Sequence, residues 1–162
     1  MDKADLRIET ILSEYQIKEL IHHSTNDAEV VKFTSDSKRF KDRQTFNSWL
    51  QEKPSLYVLA NDSGKLLGLA WVQKMSNKLV QSEFDTTAAI RLYGEARGKG
   101  LSRWFLDVAL KRYGDANYWL RTSSDNVSAI KTYEGLGFKI ASAPDDENKI
   151  ILTRHSGYIS IQ

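Results

Sequence analysis

Between residues 94 and 102 the chain reads Gly94-Glu95-Ala96-Arg97-Gly98-Lys99-Gly100-Leu101-Ser102, a run with the chemistry of an anion cradle. Glycines let a backbone approach a ligand closely, and a helix start offers unpaired N–H groups at the positive end of its dipole. Arg97 and Lys99 add charge, so the segment suits phosphate. Two phosphate motifs nevertheless fail. The loop G-x-x-x-x-G-K-[ST] needs its glycines one residue further apart than Gly94 and Gly98, and Gly100 occupies the place of the magnesium-binding hydroxyl. The dinucleotide fingerprint G-x-G-x-x-G, started at Gly98, meets Arg103 where its third glycine belongs.

The hexapeptide Arg97-Gly98-Lys99-Gly100-Leu101-Ser102 resembles a third pattern, R-x-x-G-x-[GA], the pyrophosphate loop of the GNAT superfamily of N-acetyltransferases. Ser102 stands where that pattern has Gly or Ala; serine is small, so the departure costs little backbone access. A second element follows at suitable spacing. Residues 126–138, NVSAIKTYEGLGF, resemble the N-x-x-A-x-x-x-Y-x-x-x-G-F signature of the same superfamily, with Asn126, Ala129, Tyr133, Gly137 and Phe138 at its five positions. Each also has a purely structural reading: Asn126 as a helix N-cap, Gly137 as a C-cap, Ala129 and Tyr133 as core. Two such motifs in the right order identify the chain as GNAT-like. The resemblance is specific over 86–138 and only architectural over 1–75.

It implies a mixed α/β, single-domain acyl-CoA N-acyltransferase fold over 1–162, with a mostly antiparallel, splayed central sheet flanked by helices. It also implies acetyl-CoA, or another acyl-CoA, as cosubstrate. On this resemblance the N–H near Leu92 holds the thioester carbonyl and its developing oxyanion. Backbone groups of Arg97, Gly98, Gly100, Leu101 and Ser102, with the charge of Arg97 and Lys99, hold the pyrophosphate. Asn126 contacts the cofactor arm, and Tyr133 sits near the sulfur. A tyrosine of pKa about 10 can protonate a leaving thiolate of pKa about 8.5, so Tyr133 is the candidate general acid. The attacking amine must be neutral, and a lysine-like ammonium is roughly 4–5 kcal/mol from that state at pH 7. A base is therefore wanted. The family's usual glutamate position falls on Phe84 within Gln81-Ser82-Glu83-Phe84-Asp85. It lies between two acids, Glu83 and Asp85, which share one face of an ideal strand; Glu83 is the candidate base, against the plainer reading of solvated charge at a strand entrance.

These residues need elements to hold them. The pattern predicts a strand over 6–13 passing to a helix at Ser13, where Ser13-Glu14-Tyr15-Gln16 fits a capping box. It predicts a helix over 43–52, strands over 55–60 and 65–74 joined by the turn 61–64, and a strand over 86–93. After the glycine turn come a helix over 101–113, a strand over 117–122, a helix over 126–136, and strands over 138–142 and 149–154. The order β-α-α-β-β-β-α-β-α-β-β places a crossover helix between the strands at 86–93 and 117–122. The tail 155–162 extends past the last strand, and residues 158–161 suit an added edge strand or a subunit contact.

The rest is exclusion. A chain of 162 residues, 41% hydrophobic and without cysteine, suits one ordered domain and has no disulfide, zinc-ribbon, iron–sulfur or cysteine-nucleophile chemistry. With 23 basic and 21 acidic side chains, no nucleic-acid or membrane partner is expected. A cytoplasmic location is expected, because the first residues lack a signal-like apolar run. His22 and His23 point about 100° apart on a helix, so no metal site is expected there. Lys32, Lys38, Arg39, Lys41 and Arg43 outnumber Asp36 and Asp42 in the connection before the second helix. That excess disfavours a polycationic acceptor and tolerates a neutral or anionic amine, either a small molecule or a peptide; a solvated basic loop is the plainer reading. Monomer and homodimer both remain open. Besides an acyltransferase, a non-catalytic acyl-CoA-binding module on the same fold fits the glycine turn.

Overall fold

Ser13 opens the first long helix as its spacing predicts. In the computed structural model, which describes residues 1–159, its hydroxyl accepts from the Gln16 N–H, and the Gln16 side chain accepts from the Ser13 N–H. The strand before it, β1 (Leu6–Glu9), ends earlier than 13. Helix α1 (Glu14–Asn26) buries Ile17 and Leu20. It is tied to the hairpin that follows: Gln16 donates to the Gly64 carbonyl at 2.9 Å, and Glu19 accepts from the Leu66 N–H at 2.8 Å.

The connection expected as a basic loop is instead helical in two short pieces, α2 (Ala28–Phe33) and α3 (Asp36–Arg39). Asp27 caps α2 by accepting from the N–H groups of Glu29 and Val30. In helix α4 (Arg43–Leu50), Phe46 and Trp49 are buried, and Trp49 meets Phe40 and Trp71 edge to face at 4.8 and 5.2 Å. Strands β2 (Ser55–Asn61) and β3 (Leu66–Lys74) flank a turn closed by Asn61, whose side-chain oxygen accepts from Ser63 and Lys65. Leu66 to Gln73 are all buried, the pattern of a strand covered on both faces rather than one.

Strand β4 (Thr86–Leu92) leads through the glycine turn into α5 (Leu101–Tyr113). Then come β5 (Tyr118–Ser123), α6 (Val127–Gly135), β6 (Lys139–Ile140) and β7 (Lys149–Arg154). The order expected from sequence is thus extended by two short helices, and the strand expected over 138–142 shrinks to two residues. The strands form a mixed, mostly antiparallel sheet of order β1-β2-β3-β4-β5-β7-β6, flanked by helices. β4 and β5 run parallel, with Thr86 opposite Tyr118 and Thr87 opposite Trp119, the first two residues of each strand. β5 pairs antiparallel with β7 along its whole length, from Tyr118↔Arg154 to Ser123↔Lys149.

Two compact units share this chain: Met1–Trp71 with Ile90–Leu101, and Val72–Ala89 with the segment from Ser102 onward. The first has its core in Leu20, Phe40, Phe46, Leu59 and Leu69, the second in Phe105, Leu106, Tyr118, Leu152 and Phe138. In the second unit Gly157 donates to the Asp115 carboxylate at 2.9 Å, and the Tyr158 ring covers Gly137. Tyr158 and Ile159 are not in a strand, so the expected edge pairing is not met there. Its remainder, residues 160–162, lies outside the described residues.

Candidate active site

The candidate residues fall into two groups, one in each unit. In the first, β4 ends at Leu92 and the chain turns through Gly94, Gly98 and Gly100, with φ of +49°, +69° and +70°. A methyl group at any of them would meet nothing within 4 Å. Glycine is therefore demanded by the left-handed backbone, not by crowding. Gly98, Lys99 and Gly100 are exposed, and Leu101 is buried as it starts α5.

Arg97 behaves differently from a phosphate-facing cation. Its N–H closes the turn onto the Gly94 carbonyl at 3.1 Å. Its Nε donates to the Leu92 carbonyl at 3.0 Å, and its Nη1 lies 3.0 Å from Asp27 Oδ1 and 2.9 Å from Oδ2. Glu29 adds a longer ion pair at 3.5 Å. Burial pushes the Asp27 carboxyl up, yet the Arg97 hydrogen bond and the N–H groups of Val30 and Glu29 together outweigh it and hold it below the usual range. Sequence reading missed Asp27, because nothing in a single chain pairs positions 27 and 97.

The same strand end carries two further groups that sequence reading missed. Tyr93 is buried and stacks on His23, ring centroids 4.5 Å apart and planes within 1°. Its hydroxyl has no hydrogen-bond partner, and burial raises its pKa well above the ordinary phenol range. Burial also lowers His23, so it is neutral at pH 7. Nearby, the fully buried Asp36 is gripped by Arg91, at 2.7 and 3.1 Å, and by Arg39, with both guanidiniums over Trp71. Desolvation of Asp36 is outweighed by these two arginines, and it stays ionised. Arg39 is thereby engaged, as is Arg43 by Glu14, so the basic excess read from this stretch is partly neutralised. His22 and His23 lie with centroids 6.2 Å apart, and among the described residues no group of three or more acids and histidines could hold a metal.

In the second unit Asn126 caps α6, its side-chain oxygen accepting from the Ala129 N–H at 3.2 Å. Tyr133 is buried on that helix, its ring edge-on to Phe138 at 6.3 Å. Ser102 and Thr132 are joined through their hydroxyls. Glu83 is exposed in the turn ahead of β4. Its neighbour Asp85 bonds Thr86 and Lys74, which hold that carboxyl below its usual range and make it a poor base.

Residues 17–138 match the family model described as the acetyltransferase (GNAT) family. A mycothiol acetyltransferase from Corynebacterium efficiens is 32% identical over 97 residues, covering 58% of this chain and 30% of that longer relative. Among solved structures, a spermidine N-acetyltransferase from Vibrio cholerae, in complex with CoA and spermine, superposes with a TM-score of 0.69 at 15% identity, over 93% of this chain and 94% of that one. A phosphinothricin acetyltransferase from Sinorhizobium meliloti, in complex with AcCoA, gives 0.66 at 18% identity over 94% and 89%. At such identities these structures share the fold.

Proposed function

Because this chain belongs to the GNAT family of acetyltransferases, we propose that it moves an acetyl group from acetyl-CoA to a primary amine. The observation that carries this reading is the turn after β4, with three left-handed glycines and an exposed lysine at the start of a 13-residue helix. Such a turn aims backbone N–H groups and a helix dipole at an anion. The N–H groups of Gly98, Gly100, Leu101 and Ser102, with the Lys99 ammonium, would hold the pyrophosphate, and Asn126 the cofactor arm. The Leu92 N–H would receive the thioester oxygen.

The reaction is direct transfer. The neutral amine attacks the thioester carbon; the new C–N bond forms as the C–S bond breaks, and negative charge passes through the carbonyl oxygen to sulfur. The Tyr133 hydroxyl gives its proton to the departing thiolate, and the proton shed by the amine passes through solvent or a base and restores that hydroxyl. The absence of cysteine removes a cysteinyl acyl-enzyme from consideration. Small-molecule amines are the acceptor class supported by the likeness to a fold that holds spermine.

A second reading, binding of acyl-CoA without catalysis, draws on the exposed position of Glu83 and the tied carboxylate of Asp85. One experiment separates the readings. Thermal unfolding is followed with acetyl-CoA, ATP and NAD, and free-thiol release is then measured against a panel of amines. Stabilisation by acetyl-CoA with amine-dependent thiol release supports the transferase, stabilisation alone supports the binding module, and stabilisation by ATP alone would sink both.

A further inference from the structure

The last peptide of β4, between Leu92 and Tyr93, is held at both ends. Its carbonyl accepts from Arg97 Nε at 3.0 Å, and its N–H donates to the Leu67 carbonyl at 2.9 Å. Arg97 can hold that carbonyl only if its guanidinium is kept in place, and Asp27 does this, both carboxylate oxygens lying within about 3 Å of Nη1. Arg97 is 30% exposed and Asp27 only 15%, so the pair is shielded enough for the carboxylate to fix the fork of donors. Asp27 is in turn fixed by the two N–H groups at the start of α2. A chain of polar contacts therefore runs from the α1–α2 junction, through Asp27 and Arg97, to the peptide that follows the Leu92 N–H.

We propose that Asp27 is a positioning residue for the acyl donor: through Arg97 it sets the end of β4 and the glycine turn in the geometry that receives thioester and pyrophosphate. The inference rests on the acyl-CoA reading above. Arg97 is then a strut within the turn, and Lys99 supplies the turn's cationic side chain toward phosphate. Without Asp27, Arg97 keeps only the longer, exposed contact to Glu29, and the Leu92 carbonyl loses a donor held at a fixed angle. The turn must then be ordered when acetyl-CoA binds, at a cost in affinity.

The test uses the full chain and substitutions that spare the helix cap. Asp27→Ser keeps a good N-cap but is too short to reach Arg97, whereas Asp27→Asn keeps the cap and one acceptor for Arg97. Acetyl-CoA dissociation constants are measured well below the unfolding temperature, beside urea midpoints. Asp27→Ser is expected to weaken acetyl-CoA about tenfold and Asp27→Asn by less, while the urea midpoints of both fall alike through loss of the carboxylate, so that the difference in affinity does not follow stability. In an Arg97→Gln background, Asp27→Ser should add less than about a further twofold, because the strut is already gone. Should Asp27→Ser fail to fold, Arg97→Lys takes its place, keeping the charge but losing the fork. Affinity within about twofold of wild type, or effects that multiply in the double variant, would overturn the proposal. A wild-type protein indifferent to acetyl-CoA would overturn the acyl-CoA reading itself, and this inference with it.

Discussion

The hydroxyl oxygens of Ser102 and Thr132 lie 3.1 Å apart, fastening the first turn of α5 to α6 one residue before Tyr133. A few residues on, a methyl on Gly135 would stand 3.3 Å from the Arg103 guanidinium, so the two helices pack closely there as well. Ser102 is the one position where the turn departs from the pattern, which has Gly or Ala there. Its side chain does more than avoid obstruction: it joins the helix of the glycine turn to the helix of the proposed general acid.

Ser102→Ala restores a motif-like residue and removes that fastening. Stability should fall by about 1 kcal/mol, the net worth of one hydrogen bond, as read from urea unfolding. If acetyl-CoA affinity rises at the same time, the serine trades cofactor access for helix fixation; if stability does not fall, the bond carries no weight.

Tyr133→Phe removes only a hydroxyl from a buried ring. If that hydroxyl protonates the thiolate, amine-dependent thiol release should drop about a hundredfold while acetyl-CoA affinity holds. Single-turnover measurements at saturating acetyl-CoA make the comparison. Release unchanged in the variant would leave Tyr133 as packing alone.

Asp36→Asn leaves two guanidiniums beside a neutral amide in a fully buried position. Removing one partner of such a network typically costs about 3 kcal/mol. Arg39, 31% exposed, is screened by solvent, so Arg39→Met should cost less than about 1 kcal/mol. Equal losses in the two variants, measured by urea denaturation, would show that Asp36 is not the centre of the network.

Acid should weaken the protein in two steps. His23 is held below the ordinary imidazole range by burial, opposed by Asp27 and aided by His22, Arg97 and Lys65. The unfolded chain therefore takes up that proton first, and the stability His23 contributes is complete above about pH 6.5 and declines as pH falls below it. Asp27 and Asp36 also lie below their ordinary range, so their contribution is complete above about pH 4 and is lost as pH falls further. Urea unfolding between about pH 8 and pH 3 reads both steps. His23→Gln should erase the upper step and keep the lower; an upper step that survives would assign it to another group.

The elements carrying the motif residues were legible because each announces itself locally. Asn126 caps α6, the Ser13–Gln16 box opens α1, and the glycines of the turn sit at positive φ. The helices α2 and α3 were not legible. At six and four residues they are too short for an apolar repeat, and each buries a single side chain, Val30 or Asp36. What orders them is remote: Asp36 meets Arg91 across 55 positions, and Asp27 meets Arg97 across 70. One sequence holds no record of such pairings. The same gap explains why Arg97 reads as a cation offered to phosphate until its carboxylate is seen.

The bond between Asp27 and Arg97 also limits how this chain can change over generations. An arginine at 97 is held for the turn chiefly by the carboxylate at 27, the Glu29 contact being longer and more exposed, and that acid, once its arginine is lost, is a half-buried charge with only backbone donors. Neither residue can drift alone without loss, so replacements at the two positions should arise together in descendants that keep the turn working. A mutational scan of this protein should accordingly find substitutions at 27 that are harmful beside Arg97 and neutral once residue 97 has been altered.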